Sequence, residues 1–386
     1  MPVPPTRDRA LDGLRGVAAL VVLAGHVLVS SVPALANGFL SVGTSDVAAV
    51  SWALLYTPLH VVWAGAEAVT VFFVLSGYVL TLPVARGRRF RPAAYYPHRV
   101  LRLYVPVWGA LCIAALAHFA VEGAGGGGTW WLTEHTRSLD LAQVRDSFFL
   151  LHDAGDYTLL AVLWSLHWEV VFSLALPLFL LAGWATRRFA WAAFAAVLVL
   201  LYAEGATSEW FRYLAPFALG ALLAFQYDRV AALRARLAAS GARVVELGLL
   251  AVAVCGLTAD WWLRVHGFVL VGGHADRAGR LAPVLVALGA CAALALALVG
   301  PWTRRALETG PMQWVGTRSY SLYLVHEPVL VAIAFALGGA PSLPVLALLA
   351  VPAALLVTEG FHRAIERPSH ELARRAGAMA GRLRPA

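Results

Sequence analysis

Residues 10–32, ALDGLRGVAALVVLAGHVLVSSV, form an apolar segment that nonetheless carries a carboxylate at Asp12, a guanidinium at Arg15 and an imidazole at His26. An imidazole exchanges a proton near neutral pH, and a guanidinium grips carboxylate or phosphate oxygens. On a helix turning about 100° per residue, positions eleven apart return to within about 20° of one face, roughly 16 Å apart along the axis. Asp12 falls on nearly the same face, one turn before Arg15. A polar stripe this deep costs several kcal/mol in lipid unless it meets a partner or a wet cavity, so a functional role is the first expectation. Two plainer readings compete. Arg15 can simply pair with Asp12. Alternatively, Arg7, Arg9 and Arg15 ahead of an apolar run that ends at Ala34-Leu35-Ala36 fit a cleaved leader, which would discard Arg15 and His26.

Other apolar stretches supply partners. GAEAVTVFFVLSGYVL (65–80) holds Glu67 and Ser76-Gly77, and YYPHRVLRLYVPVW (95–108) sets Arg99 and Arg102 one turn apart. LWSLHWEVVFSLALPL (163–178) buries His167 and Glu169 behind Trp164 and Ser165. VGTRSYSLYLVHEPVL (315–330) spaces Tyr320, Tyr323 and His326 at i, i+3 and i+6, with Glu327 beside them, and HRAIERPSH (362–370) carries Glu366 and Pro368. Hydroxyls and imidazoles in apolar helices are also common packing groups.

The elements that must position these residues are membrane helices. The 386 residues are 60% hydrophobic and 13% charged, with a mean hydropathy of +0.72, against about 45–50% apolar and about 25% charged in soluble domains. Spanning a hydrocarbon core needs roughly 20 helical residues. Apolar runs near 11–32, 66–83, 103–121, 158–182, 189–203, 211–226, 244–263, 281–300, 319–337 and 343–361 predict an all-α polytopic bundle of about ten transmembrane helices. Residues 47–65, broken by Pro58 and His60, predict a re-entrant or interfacial helix.

Arginine marks every second loop. Arg7 and Arg9 precede the first run, six arginines from Arg86 to Arg102 separate the second from the third, and Arg187 and Arg188 follow the fourth. Arg229, Arg234, Arg236 and Arg243 follow the sixth, Arg304 and Arg305 the eighth, and Arg363 to Arg384 close the chain. Ten spans with both termini cytoplasmic produce this alternation. The loop at 264–280, with Arg264, Arg277 and Arg280, departs from it. The net charge of +8 is thus a topology signal and argues against a nucleic-acid partner. The sequence contains no Lys, so all 30 basic residues are Arg. Cys112, Cys255 and Cys291 lie in apolar runs without the spacing of a disulfide framework or thiolate site. No G-x-S-x-G elbow or H-E-x-x-H pair points to a serine hydrolase or a metal, and GAGGGG (123–128) lacks the Lys and strand context of a phosphate loop, reading as a flexible outer loop.

Taken in order, LDGLRGVAALVVLAGH, FFVLSGY, HRVLRLYVP, LWSLHWE and SYSLYLVHEP resemble the integral-membrane acyltransferase 3 family across nearly the whole chain. The resemblance implies a bundle of about ten transmembrane helices over residues 1–370, followed by a basic cytoplasmic tail at 371–386, in the plasma (inner) membrane. It implies transfer of acyl groups, commonly acetyl from acetyl-CoA, to hydroxyls of sugars or glycans. The family's Arg-x10-His signature falls on Arg15 and His26, with His26 the essential histidine. Its Arg-x-x-Arg pair falls on Arg99 and Arg102, and its Trp-Ser-Leu-x-x-Glu pattern on Trp164, Ser165, Leu166 and Glu169. Its Ser-Gly falls on Ser76-Gly77, and its late Tyr and His positions on Tyr320, Tyr323 and His326. The chain departs at Thr70, where many members carry an aspartate, with Glu67 a turn earlier. No appended extracytoplasmic hydrolase-like domain is expected.

The chemistry follows. Arg99 and Arg102 are where CoA phosphates would dock, and Arg15 would meet a phosphate or the pantetheine arm. His26 is the general base on the acceptor hydroxyl, a covalent acyl-imidazole being the less favoured variant. Glu169 is the buried carboxylate best placed to orient it. Ser76, Trp164, Tyr320, Tyr323 and His326 would line the cavity or stabilise the oxyanion. The competing class is a secondary transporter, in which His26, Glu169 and His326 form a proton relay. A third reading passes the acyl group across the membrane to another enzyme.

Overall fold

The computed structural model describes residues 8–38, 48–121, 128–139, 141–150, 157, 159–240, 243–270 and 275–382, and among these no strand occurs. The GAGGGG run, apart from Gly128, lies outside the described residues. The helices are α1 (Arg9–Ser31), α2 (Pro33–Asn37), α3 (Ala49–Tyr56), α4 (Gly65–Ala85), α5 (Pro92–Val121), α6 (Trp130–Glu134) and α7 (Leu141–Phe149). Next come α8 (Leu163–Thr186), α9 (Ala190–Glu204), α10 (Glu209–Ala224), α11 (Tyr227–Ser240), α12 (Arg243–Leu257), α13 (Ala259–Leu270) and α14 (Ala275–Val299). The last are α15 (Pro301–Leu307), α16 (Gly310–Thr317), α17 (Ser319–Ala336), α18 (Leu343–Phe361) and α19 (Arg367–Arg382). Helix is the form that satisfies every backbone polar group within one segment, which lipid demands.

Among the described residues, helix makes up most of each of the ten apolar runs. Seven continuous helical stretches among them are long and apolar enough to cross a membrane, and the pair α12 and α13, bent by 67°, makes an eighth if it counts as one broken span. The fifth run is α9, only 15 residues, joined to α8 through a short turn at Arg187–Phe189 into one 42-residue stretch, and the sixth is α10, with 16. At 1.5 Å per residue these two reach about 24 Å, short of a hydrocarbon core. The segment at 47–65 is broken where Pro58 stands: α3 ends at Tyr56, and the Thr57 hydroxyl caps a tight turn by accepting the Leu59 N–H at 3.2 Å.

The chain forms two compact units. The first comprises residues 1–22, 48–86 and 178–319. At its centre α4 crosses α10 at backbone contact. A Cβ on Gly77 would collide with the Phe217 carbonyl, and one on Gly220 with the Val74 carbonyl; the Phe73 and Phe217 rings stack at 4.6 Å beside the crossing. Small residues permit this approach where lipid offers no hydrophobic drive for association. Two of the three arginines of the 264–280 loop have local partners here: Arg264 bonds Asp260 at 2.7 Å and covers the Trp261 ring, and Arg280 donates to the Ala203 carbonyl at 2.8 Å.

The second unit comprises residues 23–47, 87–177 and 320–386. Residues expected to form a tail are helical through Arg382. That helix, α19, lies along α5, burying Ser369, Ala373 and Gly377 with Gly377 against Ala94, while Arg374, Arg375 and Arg382 stay exposed.

The Gly77 crossing yields a stability prediction. Gly77→Val forces α4 off α10 and costs about 1–3 kcal/mol, seen as a lower thermal midpoint of tryptophan fluorescence in detergent. A variant that melts with wild type would mean the two backbones do not touch.

Candidate active site

The second unit gathers the chemistry. His326 lies on α17, fully buried, and its Nδ1 faces the Leu322 carbonyl one turn back at 2.8 Å. A carbonyl only accepts, so Nδ1 carries the proton, and a neutral ring then leaves Nε2 as an acceptor. Neutrality is the economical state, because burying an imidazolium without an anionic partner is costly. His26 Nδ1 stands 2.9 Å from that Nε2, with the rings stacked at 5.0 Å, and it must therefore be the donor. The proton assignment propagates: His26 holds Nδ1–H and presents an unprotonated Nε2. The residue is partly buried, and the Trp131 indole flanks its ring at 5.0 Å. Ser30 donates to the His26 carbonyl, fixing the last turn of α1.

A second pair adjoins this one. His135, just past α6, faces two acceptors at 2.9 Å, the Trp131 carbonyl at Nδ1 and Glu327 Oε1 at Nε2. Both nitrogens donate, so this ring is an imidazolium paired with a carboxylate. Burial works against that charge, but the hydrogen bond and negative charge of Glu327 outweigh it and hold the His135 pKa above its ordinary value. Glu327 is almost wholly buried and also accepts the N–H groups of Ala161 at 2.7 Å and Val162 at 3.1 Å, at the entry to α8. The Trp131 ring thus lies between the neutral His26 and the charged His135.

Glu169 does not join His26. Its carboxylate takes Arg99 Nη2, while Arg99 Nε donates to Ser173 Oγ at 3.0 Å. Both members are buried, so the structure ties Arg99 into an internal ion pair rather than leaving it open to a phosphate. Arg102, one turn further along α5, is exposed. Tyr320 donates to the Leu103 carbonyl at 2.9 Å, and Tyr323 and Ser165 share a 2.6 Å hydrogen bond. These hydroxyls tie α17 to α5 and to α8. Trp164 is partly exposed in the first turn of α8.

Within the first unit, Arg15 bonds Asp12 at 3.0 Å, the local pairing that the sequence left open. Ser76 is partly buried on α4, beside the Gly77 crossing. Glu67, in the first turn of α4, accepts the Trp261 indole N–H at 2.9 Å.

Four contributors escape a reading of the sequence. Glu327 was visible only as the neighbour of His326, although on a helix it points about 100° away and serves His135 instead. His135 and Trp131 sit in a stretch that reads as an outer loop; their i, i+4 spacing in WWLTEH was the available signal. The Leu322 carbonyl, which sets the tautomers, has no side-chain signature.

Comparison with known proteins fits this architecture. The chain aligns over 311 residues, at 28% identity, with a Bacillus subtilis (strain 168) protein named "Putative peptidoglycan O-acetyltransferase YrhL". The alignment covers 70% of this chain and 45% of the relative, so the chain spans less than half of that protein's length. No solved structure matches. The family described as "Acyltransferase domain" matches residues 8–359. A match over most of an all-helical chain with at least seven helices of spanning character shows that the protein belongs to the acyltransferase 3 family and is a multi-pass membrane protein.

Proposed function

We propose that the protein is a membrane O-acyltransferase that moves an acyl group, acetyl from acetyl-CoA, to a hydroxyl of a sugar, a cell-envelope glycan or a glycosylated metabolite. The observation that carries the reading is the free Nε2 of His26, held in that state by His326 and the Leu322 carbonyl. Transfer to an alcohol requires a group that takes the hydroxyl proton as the C–O bond forms. His26 Nε2 takes it, and the resulting imidazolium keeps its Nδ1–H bond to His326. The tetrahedral intermediate then expels the thiolate, and the proton on Nε2 returns to sulfur, so that ester and free CoA thiol leave and the imidazole is neutral again. No covalent enzyme intermediate is needed.

The relative's name supports a peptidoglycan hydroxyl within this acceptor class. The arginine-rich loops support a plasma-membrane topology with both termini in the cytoplasm, and Arg102, exposed on α5, is the side chain suited to CoA phosphates. A carrier reading loses its proposed relay, because Glu169 is engaged by Arg99 and not by either histidine.

Two tests follow. Thiol release from acetyl-CoA by the protein in lipid, with peptidoglycan fragments as acceptor, falls about 10²-fold or more in His26→Ala; undiminished release from a folded variant would remove His26 as the base. The two arginines separate by kind of effect. Arg102→Ala raises the donor KM with kcat nearly unchanged. Arg99→Ala strands Glu169 and costs about 3–5 kcal/mol of stability; a variant that melts normally and loses only donor affinity would return Arg99 to the binding site.

A further inference from the structure

The Glu327 carboxylate has one acceptor direction unspent. Two oxygens offer about four lone-pair sites; the N–H groups of His135 and Ala161 converge on Oε1, and that of Val162 on Oε2. Beside it lies a small, partly open recess, walled by Ala114, Ala117, Pro328 and Val331, whose polar side chains are those of Glu327, His135 and His118. His118, near the end of α5, is 5% exposed, and its Nε2 is buried without a hydrogen-bond partner. A buried imidazole nitrogen left without a partner bears the full cost of its lost hydration. A buried site with two or more polar groups and room for one molecule is where an ordered water resides, whereas the enclosed part is too small for a sugar ring. Among the described residues no group of three or more His, Cys, Asp or Glu side chains is arranged to hold a metal.

We propose that His118 is a positioning residue of the active site: one water, bound between His118 Nε2 and Glu327 Oε2, completes the solvation of the carboxylate and so keeps the Glu327–His135 pair ionic. The water donates one hydrogen to Oε2 and meets Nε2 with the other. His118 touches no reacting atom. It acts through Glu327 on His135, and through His135 on the Trp131 indole that packs against His26. The titratable groups around His135 are Glu327 on α17, Glu134 on its own turn, His26 on α1 and His118 on α5. Of these, His118 alone contributes an unpartnered buried atom to the recess.

Full-length protein labelled with ¹⁵N-histidine, in lipid nanodiscs, tests the proposal without reference to catalysis. His135 is identified by the signal lost in His135→Asn. At neutral pH the wild-type protein shows both ring nitrogens of His135 protonated. In His118→Leu the carboxylate loses a donor, the charged pair is disfavoured against the neutral one in which Glu327 keeps the proton, and the His135 imidazolium signal falls about 2-fold or more. In His118→Gln, whose amide can hold the same water, the signal stays with wild type. Should the leucine variant fail to fold, Ala117→Leu fills the recess with His118 in place and lowers the imidazolium signal likewise. Acyl transfer follows the same order, about 5-fold down in His118→Leu and restored in His118→Gln. That arm rests on the proposed transferase activity; the nitrogen spectrum does not. An imidazolium signal unmoved by both leucine substitutions, or a glutamine variant that behaves as the leucine one, overturns the proposal.

Discussion

One backbone carbonyl governs the state of the candidate site. Leu322 accepts from His326 Nδ1, His326 Nε2 accepts from His26 Nδ1, and the lone pair of His26 is left on Nε2. A carbonyl is a fixed acceptor that cannot titrate, so the tautomers behind it cannot drift with pH as they would behind a carboxylate or a hydroxyl. The arrangement differs from a base oriented by a carboxylate. In an apolar helix bundle that difference is useful, because a neutral imidazole orients its neighbour without adding a buried charge.

The charges that the unit does bury are each met at short range. Glu169 has Arg99, and Glu327 has His135 and two peptide N–H groups. Glu366 has Ser321 and His362, the latter at 2.9 Å, at a π-helical turn between α18 and α19. Such pairs give little net stability, yet breaking one leaves an uncompensated charge in a medium that solvates it poorly. Their value is geometric. Glu327 pins the entry of α8, Arg99 pins α5 to α8, and Glu366 ties the end of α18 to α17. Together they hold the helix on which His326 rides, and therefore the nitrogen that His26 meets.

Much of this was legible in the sequence, and the reason is lipid. Where charges are expensive, each that survives in an apolar run stands out, so His26, Arg99, Glu169 and His326 could be named at once. Pairing was not legible, because Glu169 lies 70 residues from Arg99 and Glu327 lies 192 from His135, and spacing within one helix says nothing of contact between helices. For the same reason Arg99 read as a phosphate ligand and Glu169 as the partner of His26, and the structure joins them to each other. The all-helical bundle was legible too, with seven or more stretches of spanning length among the described residues, but apolarity alone does not separate a full crossing from the 15-residue α9 or the bent pair α12 and α13. His135 was hidden by its place outside the apolar runs, where a histidine has nothing unusual about it.

The central claim is that His26 rests as the Nδ1–H tautomer with Nε2 free. The most direct measurement is the ¹⁵N spectrum of the His26 side chain in the lipid-embedded protein at neutral pH, identified by its loss in His26→Ala. A protonated Nδ1 and an unprotonated Nε2 are expected, the reverse of the form that free histidine favours in water, with a reversal of that assignment in His326→Leu. A spectrum showing Nε2–H in the wild-type protein would contradict it, because the nitrogen that faces the acceptor would then have no lone pair to give.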